Sequence, residues 1–348
     1  MISICRKEGY FMSNKHEYRS VFAPYISAFM KIKSAVVSKT ADYGHTLKQW
    51  DDAMILNKRS ELYVTKEMVC EWEKSLYPTS DVTSYHKHSQ LIQFLKYLCR
   101  LGIECYVPRL PKRPSSTYTP YVYTHDEIIR IFAAIDEAEL SRPTPKSCLM
   151  CMPCLFRLLY ATGMRISEAL SIRNEDVDFS NNFIILRKTK NNKERIIPMN
   201  ERLKEVLMQY IKYRDLVPVE GISNPDRYLF VSGLGKPFST NTPYTFFKRI
   251  LEKCGIHHRG KNEGPRVHDL RHTFAVHTLH RMSSEDVDLY AGLPILSVML
   301  GHASVKETEW YLRLTREFYP EIIEKMSATT GGVFPELDKN NMYHGKGN

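Results

Sequence analysis

Four prolines fall within one short stretch of the chain, YVPRLPKRPSSTYTPYV. Because proline lacks a backbone N–H and its ring clashes with the preceding turn, a regular helix cannot cross this stretch. A chain of 348 residues is also too long for one ordinary hydrophobic core. We therefore predict two domains joined by a semi-rigid linker over residues 108–122. The four prolines are Pro108, Pro111, Pro114 and Pro120.

The sequence before the linker is predicted to be helical. Four segments repeat apolar residues at spacings of three and four, as the buried face of a helix requires: YISAFMKIKSAVV, YGHTLKQWDDAMI, TKEMVCEWEKSL and SYHKHSQLIQFLKYLCRL. Thr65 suits a helix start and Gly102 a helix end. We predict a helical domain over residues 21–107, after a flexible leader over residues 1–20. Its lysine, histidine and aromatic side chains suit a DNA backbone, and an ordinary solvated surface is the alternative interpretation.

The sequence after the linker mixes helices with a small β-sheet. Thr124 and Glu127 form a capping box, and Gly163 interrupts the helical pattern of CLFRLLYATGMRISEALSI. FIIL and RIIP flank the polar KTKNNKE and predict a β-hairpin, and DRYLFVSGLGKPFS predicts a short strand and loop. ERLKEVLMQYIKYR, TPYTFFKRILEKCG and DLRHTFAVHTLHRM predict further helices. The expected fold is mainly α with a small β-sheet: a mixed α/β domain over residues 123–326 follows the helical one, and a polar tail containing VFPEL covers residues 327–348.

Four side chains that suit one kind of chemistry occur within residues 267–312. His268 and Arg271 are three residues apart, so they share one face of a helix. A guanidinium binds non-bridging phosphate oxygens through paired hydrogen bonds, and an imidazole can accept or donate a proton near neutral pH. His302 adds a second imidazole, and the phenol of Tyr311 can become a nucleophile once its proton is removed. Together these residue types predict a phosphoryl-transfer site that needs no metal ion.

Further basic residues are candidates for the same site. Arg165 follows the glycine break and either pairs with Glu168 or contacts an anion; considered alone, the ion pair is the favoured interpretation. Lys190 lies in the polar part of the predicted hairpin, with Lys188 and Lys193 beside it. A hairpin lysine is usually a solvated charge. A mobile ammonium can, however, reach a DNA groove and protonate a leaving oxygen.

Charge and hydropathy favour a polyanionic partner. The 49 Lys and Arg residues exceed the 39 Asp and Glu residues, which gives a formal net charge of +10. No apolar run approaches the length of a transmembrane helix, and the N-terminal residues lack an apolar segment of signal-peptide length. We therefore expect a cytoplasmic location and no membrane partner.

The eight cysteines are expected to be free thiols. Cys148, Cys151 and Cys154 have the spacing of a metal-binding run, but no fourth ligand stands nearby and the run leads into the apolar LFRLLY. A buried helix face is the favoured interpretation. We expect no metal ion and no other cofactor.

Five motifs, taken in order, resemble the tyrosine recombinase (phage integrase) family. They are ATGMRISEAL, TKNNKERIIP, HDLRH, LGH and a tyrosine nine residues after that last histidine. Each motif alone is weak, but their order, spacing and residue types together are highly specific. The resemblance covers most of the chain. It identifies the second domain as the catalytic domain of that family, and the helical domain and proline linker as similar to its core-binding domain and linker.

The resemblance implies a role for each matching residue. Tyr311 matches the nucleophile that attacks a scissile DNA phosphate and forms a 3′-phosphotyrosyl bond. Arg165 and Arg271 match the two arginines that clamp the phosphate and stabilise the transition state. His302 matches a donor to a non-bridging oxygen, and His268 matches the general base for the tyrosine proton.

The same resemblance assigns the general acid to the hairpin. Lys190 matches the lysine that gives a proton to the departing 5′ oxygen. Lys188 and Lys193 remain alternatives because the register of a hairpin is hard to fix from sequence. Tyr319 lies too far beyond LGH to be the favoured nucleophile.

Neighbouring residues have structural interpretations. Glu168 is expected to orient Arg165, and Gly301 is expected to let the chain turn. His272 is expected to be a buried supporting group that faces away from His268. Packing or surface positions are expected for His277, His280 and Trp310.

The resemblance also implies partners and a reaction. The partners are double-stranded DNA, further copies of the chain in a tetramer on paired DNA sites, and accessory or directionality proteins, with the protein at the nucleoid. The reaction is metal- and ATP-independent strand exchange for integration, excision or transposition of a mobile element, with the tail docking on a neighbouring protomer. Two alternatives stay open: a topoisomerase-like nicking-closing enzyme and a non-catalytic DNA-binding regulator.

Overall fold

The chain is divided into two compact units, residues 1–117 and residues 118–348, here called the N-terminal and C-terminal units. The computed structural model describes residues 16–36, 41–76, 80–114, 120–139, 144–187, 189, 194–258, 264–302 and 304–318. Most of the leader and the whole tail that the sequence predicts therefore lie outside the described residues.

The N-terminal unit contains the four predicted helices. They are α1 (Ala23–Val36), α2 (Ala41–Leu56), α3 (Lys66–Ser75) and α4 (Asp81–Arg100). Thr65 caps α3 by accepting a hydrogen bond from the Met68 backbone N–H, as expected. Gly102 follows α4 with a φ of 82°, the left-handed conformation that commonly ends a helix.

Two tryptophans centre the core of the N-terminal unit. Trp50 and Trp72 are fully buried, and their rings meet edge to face with centroids 6.5 Å apart. The buried carboxylate of Asp51 accepts hydrogen bonds from the backbone N–H groups of Arg19 and Ser20, each at 2.9 Å. These bonds fix the chain just before α1 and satisfy a carboxylate that would otherwise be costly to bury.

The C-terminal unit contains eight α-helices and three strands among its described residues. In chain order they are α5 (His125–Asp136), α6 (Met152–Thr162), α7 (Ile166–Ala169), β1 (Val177–Asp178), β2 (Phe183–Leu186), β3 (Arg195–Pro198), α8 (Glu201–Arg214), α9 (Asn241–Lys253), α10 (Asp269–Ser284), α11 (Leu289–Leu300) and α12 (Lys306–Phe318). The fold is therefore mainly α with a small β-sheet, as predicted. The capping box of Thr124 and Glu127 begins α5, also as predicted.

The sheet of the C-terminal unit is antiparallel, in the order β1-β2-β3. The predicted hairpin is confirmed: β2 pairs with β3, with Ile184 opposite Ile197. The strand predicted in DRYLFVSGLGKPFS is wrong, because only Tyr228 pairs there, in an isolated bridge with Arg173. Leu229 donates to the Ile172 carbonyl, after which the chain turns at Gly235, so the apolar residues are buried without a ladder.

Helix α10 forms the centre of the C-terminal unit and packs against α6, α11 and α12. Every residue from Asp269 to His277 is buried, so this helix has no solvent face over that length. Polar side chains on it must find partners inside the protein. No described helix is both long and apolar enough to cross a bilayer.

Candidate active site

The turn between α6 and α7 presents the first arginine. Gly163 ends α6 in the left-handed conformation, with φ of 62°, and a Cβ there would lie 2.3 Å from Phe274 Cδ1. The residue must therefore be glycine for both its backbone and its packing. Arg165 then begins α7, where its backbone N–H and its Nη1 each donate to the Glu168 carboxylate at 2.9 Å. The predicted contact between Glu168 and Arg165 is present.

Glu168 is a buried carboxylate that two arginines share. Arg195, on β3, donates from Nη1 and Nη2 to the two carboxylate oxygens at 3.1 and 2.7 Å. Burial alone would raise the pKa of Glu168, but the hydrogen bonds and charges of Arg195 and Arg165 outweigh it, and the pKa is lowered. Glu168 therefore stays ionised and holds both guanidiniums.

Arg195 is a residue that the sequence interpretation missed. Side chains alternate between the two faces of a strand, and Arg195 lies two residues from the buried Ile197. This spacing could have indicated that Arg195 faces the protein interior. Its partner could not have been found that way, since 27 residues separate it from Glu168.

Arg271 ties two distant segments together from the middle of the unit. Its side chain lies in α10, the residue is 3% exposed, and Nη1 and Nη2 donate to the carbonyls of Gly163 and Leu300 at 2.8 and 2.6 Å. Those carbonyls lie two residues before Arg165 and His302, respectively. Burial, and then the charge of Arg165, lower the pKa of Arg271 to about 10. It remains a cation at neutral pH.

Tyr311 lies on α12 and is 3% exposed. Its hydroxyl is 2.9 Å from His272 Nδ1, and its ring is parallel to that of His302, with centroids 6.0 Å apart. Burial raises the pKa of Tyr311, while the Arg271 guanidinium opposes that rise. The phenol is thus protonated at neutral pH, beside a cation that favours its phenolate form.

His272 is placed differently from the expectation. The prediction that it faces away from His268 is wrong, because the two ring centroids are 4.9 Å apart. Residues four apart on a helix share a face, which the sequence interpretation overlooked. His272 is buried, as expected, and its partner is the hydroxyl of Tyr311.

The two predicted histidines border this cluster. His268 immediately precedes α10, and burial followed by the charge of Arg271 lowers its pKa to about 4. His302 lies 2.7 Å from Thr308 Oγ1 through its Nδ1, and burial followed by Arg271 lowers its pKa to about 4 as well. Gly301 has a φ of 64°, which agrees with the expected turn. Both imidazoles are neutral at pH 7.

Lys190, Lys188 and Lys193 lie outside the described residues, as does Tyr319. Their predicted roles stay predictions.

The remaining candidates have packing partners. Tyr160 and His277 are joined by a 2.9 Å hydrogen bond, and His277 stacks on His125. Trp310 is partly buried against the apolar cluster around α11 and α12. The three thiols of Cys148, Cys151 and Cys154 are buried and free, and the described residues hold no group of three or more possible metal ligands.

The charge balance of this cluster suits an anion. Arg165 and Arg195 form ion pairs with the Glu168 carboxylate, and the charge of Arg271 interacts with the same carboxylate. Both histidines at its edge have lowered pKa values, in part because of the nearby guanidiniums. An anionic ligand would relieve this excess positive charge.

Comparison with known proteins gives consistent matches. Residues 122–317 match the model of the phage integrase family. The putative integrase/recombinase y4rB of Sinorhizobium fredii is 30% identical over 281 residues, which cover 79% of this chain and 88% of that protein. The tyrosine recombinase XerA of Pyrococcus horikoshii is 32% identical over 241 residues, 68% of this chain and 72% of that protein.

Solved structures share the fold. The XerH site-specific recombinase in a post-cleavage complex with its palindromic difH substrate matches with a TM-score of 0.59 and 22% identity, over 82% of this chain and 79% of that one. The Tn1549 transposon integrase in complex with transposon right end DNA matches with a TM-score of 0.61 and 17% identity, over 84% of this chain and 94% of that one.

Proposed function

Because this chain belongs to the phage integrase family of tyrosine recombinases, we propose that it is a site-specific DNA recombinase that cleaves and rejoins double-stranded DNA. One observation carries the proposal. Arg271 binds the carbonyls of Gly163 and Leu300, and so joins the segments that bear Arg165 and His302 beside Tyr311. A phosphate that is to be attacked by a phenol needs such a group of fixed donors.

The proposed reaction is a reversible transesterification. The Tyr311 oxygen attacks the scissile phosphorus, the bond from phosphorus to the 5′ oxygen breaks, and a 3′-phosphotyrosyl bond forms. Arg165 and Arg271 bind the non-bridging oxygens, on which negative charge grows in the transition state. A guanidinium has five N–H donors, so Arg271 keeps some for the phosphate after binding two carbonyls. His302 is the further donor to a non-bridging oxygen.

Proton transfers complete each step. His268 accepts the phenolic proton, directly or through the adjacent His272, and its lowered pKa keeps it neutral and able to accept. Lys190 gives a proton to the departing 5′ oxygen. A free 5′ hydroxyl then attacks the phosphotyrosyl bond in the reverse sense. The covalent bond retains the energy of the phosphodiester, so rejoining requires neither ATP nor, with these cations in place, a metal ion.

The wider assembly is proposed by analogy with the same family. The helical N-terminal unit would serve as the core-binding domain and the C-terminal unit as the catalytic domain. Protomers would form a tetramer on paired sites, with the tail of each docking on a neighbour and with accessory or directionality proteins selecting the outcome. Integration, excision or transposition of a mobile element is the proposed role. The DNA complexes of the XerH recombinase and the Tn1549 integrase support a duplex partner.

A covalent-trapping experiment tests the chemistry. The DNA flanking the gene is footprinted to find the bound site, and duplexes nicked near the scissile position are incubated with the full chain. A protein–DNA adduct is expected that Tyr311→Phe abolishes while DNA affinity is retained. Adduct formation should also persist in chelator. Failure of the unaltered protein to form any adduct would favour a non-catalytic regulator, and adducts without exchange between two sites would favour a nicking-closing enzyme.

A further inference from the structure

Every side-chain nitrogen of Arg195 donates a hydrogen bond within the protein, and the side chain is nearly inaccessible to solvent. Nη1 and Nη2 bind the two oxygens of Glu168, and Nε donates to the Met299 carbonyl at 3.1 Å. The side chain is 7% exposed. All three of its nitrogens donate to acceptors within the protein, which suits a supporting role.

The Met299 contact lies at the end of α11. Arg195 holds the carbonyl of Met299, and Arg271 holds the carbonyl of the next residue, Leu300. A helix leaves its last carbonyls without partners inside the helix, so two guanidiniums at this end act as side-chain caps. His302 follows two residues later, and its position is therefore set by both arginines.

Through its contact with Glu168, Arg195 also influences the position of Arg165. Glu168 accepts from Arg195 through both oxygens and from the Arg165 side chain and backbone. A planar guanidinium and a carboxylate joined through two parallel bonds have a defined mutual orientation. The position of Arg165 therefore depends on the position of β3.

We propose that Arg195 is a positioning residue for the recombinase reaction: it sets the places of Arg165, through Glu168, and of His302, through Met299, relative to strand β3. This inference rests on the proposed function. It explains why two catalytic segments that are far apart in sequence keep one geometry. Lysine cannot replace Arg195, because one ammonium cannot span the carboxylate and the carbonyl with the same fork.

The close packing at Gly301 independently supports the positioning role of Arg195. A Cβ on Gly301 would lie 2.7 Å from Arg195 Nη1. The turn before His302 is therefore built directly against this guanidinium, and displacement of Arg195 would leave a gap beside the turn.

The test compares two linkages at the scissile position in nicked duplexes that trap the unaltered full chain. One carries the ordinary phosphodiester, and the other carries a methylphosphonate, which lacks the negative charge on a non-bridging oxygen. Rates of Tyr311 adduct formation are measured for Arg195→Lys and for Glu168→Gln, which weakens the same contact from its other side. The matched control is Arg157→Lys, since Arg157 also grips a carboxylate, that of Asp136, through both Nη atoms but lies outside the site.

Arg195→Lys and Glu168→Gln should slow cleavage of the phosphodiester by roughly ten- to a hundred-fold, as losses of supporting partners do elsewhere. The loss on methylphosphonate should be several-fold smaller, because a neutral linkage depends less on the clamp. Arg157→Lys should change neither rate. An Arg165→Lys/Arg195→Lys double variant should lose less than the product of the two single losses, because both act on one contact network.

The ratio of the adduct-formation rates on the two linkages distinguishes a positioning role from a folding defect. Partial unfolding lowers both rates by the same factor, so it leaves the ratio unchanged. Equal losses on the two linkages for both variants, or fully multiplicative losses in the double variant, would overturn the positioning role. Absence of any adduct with the unaltered protein would instead reject the proposed function itself.

Discussion

At the scale of single residues, the contact between Tyr311 and His272 has a measurable energy. Both groups are buried, and their hydrogen bond is 2.9 Å long. Either His272→Phe or Tyr311→Phe leaves one buried polar atom without this partner, which should cost about 1–3 kcal/mol of unfolding free energy. Urea denaturation of each variant measures that cost.

The double variant provides the control for that prediction. Removing both polar groups leaves neither unsatisfied, so the loss in His272→Phe/Tyr311→Phe should be smaller than the sum of the single losses by about 1 kcal/mol or more. Strictly additive losses would show that the contact does not form in solution.

The lowered histidine pKa values predict sensitivity to acid. Burial is the first cause in each case, and it lowers the pKa of His268, His277 and His302 to about 4 and of His272 to about 3. The ordinary value is 6.5. At pH values between the lowered and the ordinary pKa, the unfolded chain binds more protons than the folded chain. Stability therefore falls as the pH drops from 6.5 towards 4.

His277→Gln isolates one contribution to that acid sensitivity, because His277 lies outside the candidate site. The difference in unfolding free energy between the parent and this variant should shrink as the pH is lowered through the same window. Urea denaturation at four pH values between 7.5 and 4.5 measures it. A difference that stays constant with pH would contradict the lowered pKa of His277.

At the scale of secondary-structure elements, the end of α11 depends on a glycine. Gly301 and Gly255 both have left-handed backbones, with φ of 64° and 70°, but a Cβ at Gly255 would meet nothing within 4 Å. Alanine at either position should cost about 1–2 kcal/mol through backbone strain. Gly301→Ala should cost at least about 1 kcal/mol more, because the new methyl group collides with Arg195.

Thermal denaturation of the two glycine variants compares them directly. Gly301→Ala should also slow adduct formation, whereas Gly255→Ala should not. Equal stability losses and equal rates would mean that Arg195 does not pack against this turn.

Local signals predicted most of the elements but not the contacts that join them. The polar KTKNNKE between two β-branched segments predicted β2 and β3, and the Gly163 break separated α6 from α7. These features depend on neighbouring residues alone. The roles of Arg195 and His272 depend on which elements meet, and Glu168, Met299 and Tyr311 are 27, 104 and 39 residues away from the side chains they contact. The strand predicted after α8 failed for a related reason, since burial of its apolar residues came from packing.

At the scale of the whole molecule, the N-terminal unit has a core of its own. Trp50 and Trp72 are buried within it among apolar residues of all four helices. A fragment of residues 1–117 should therefore unfold cooperatively in urea, with an m value of about 1–2 kcal/mol/M. Tryptophan emission, which shifts to longer wavelength on exposure to water, reports the transition.

Trp72→Ala is the matched variant for this fragment. It should lower the midpoint strongly, since loss of a buried tryptophan costs about 3–5 kcal/mol. A gradual, non-cooperative change in emission for the unaltered fragment would show that this core is not sufficient by itself.

The hydrogen-bond acceptors of the buried Arg271 guanidinium have a consequence for the evolution of the sequence. Two of its hydrogen-bond acceptors are main-chain carbonyls, which carry no full charge to balance the guanidinium. A buried charge of this kind is tolerated only at a cost that a neutral side chain would avoid. Selection for stability alone would thus tend to replace Arg271, so loss of the proposed activity should allow a neutral side chain to take its place.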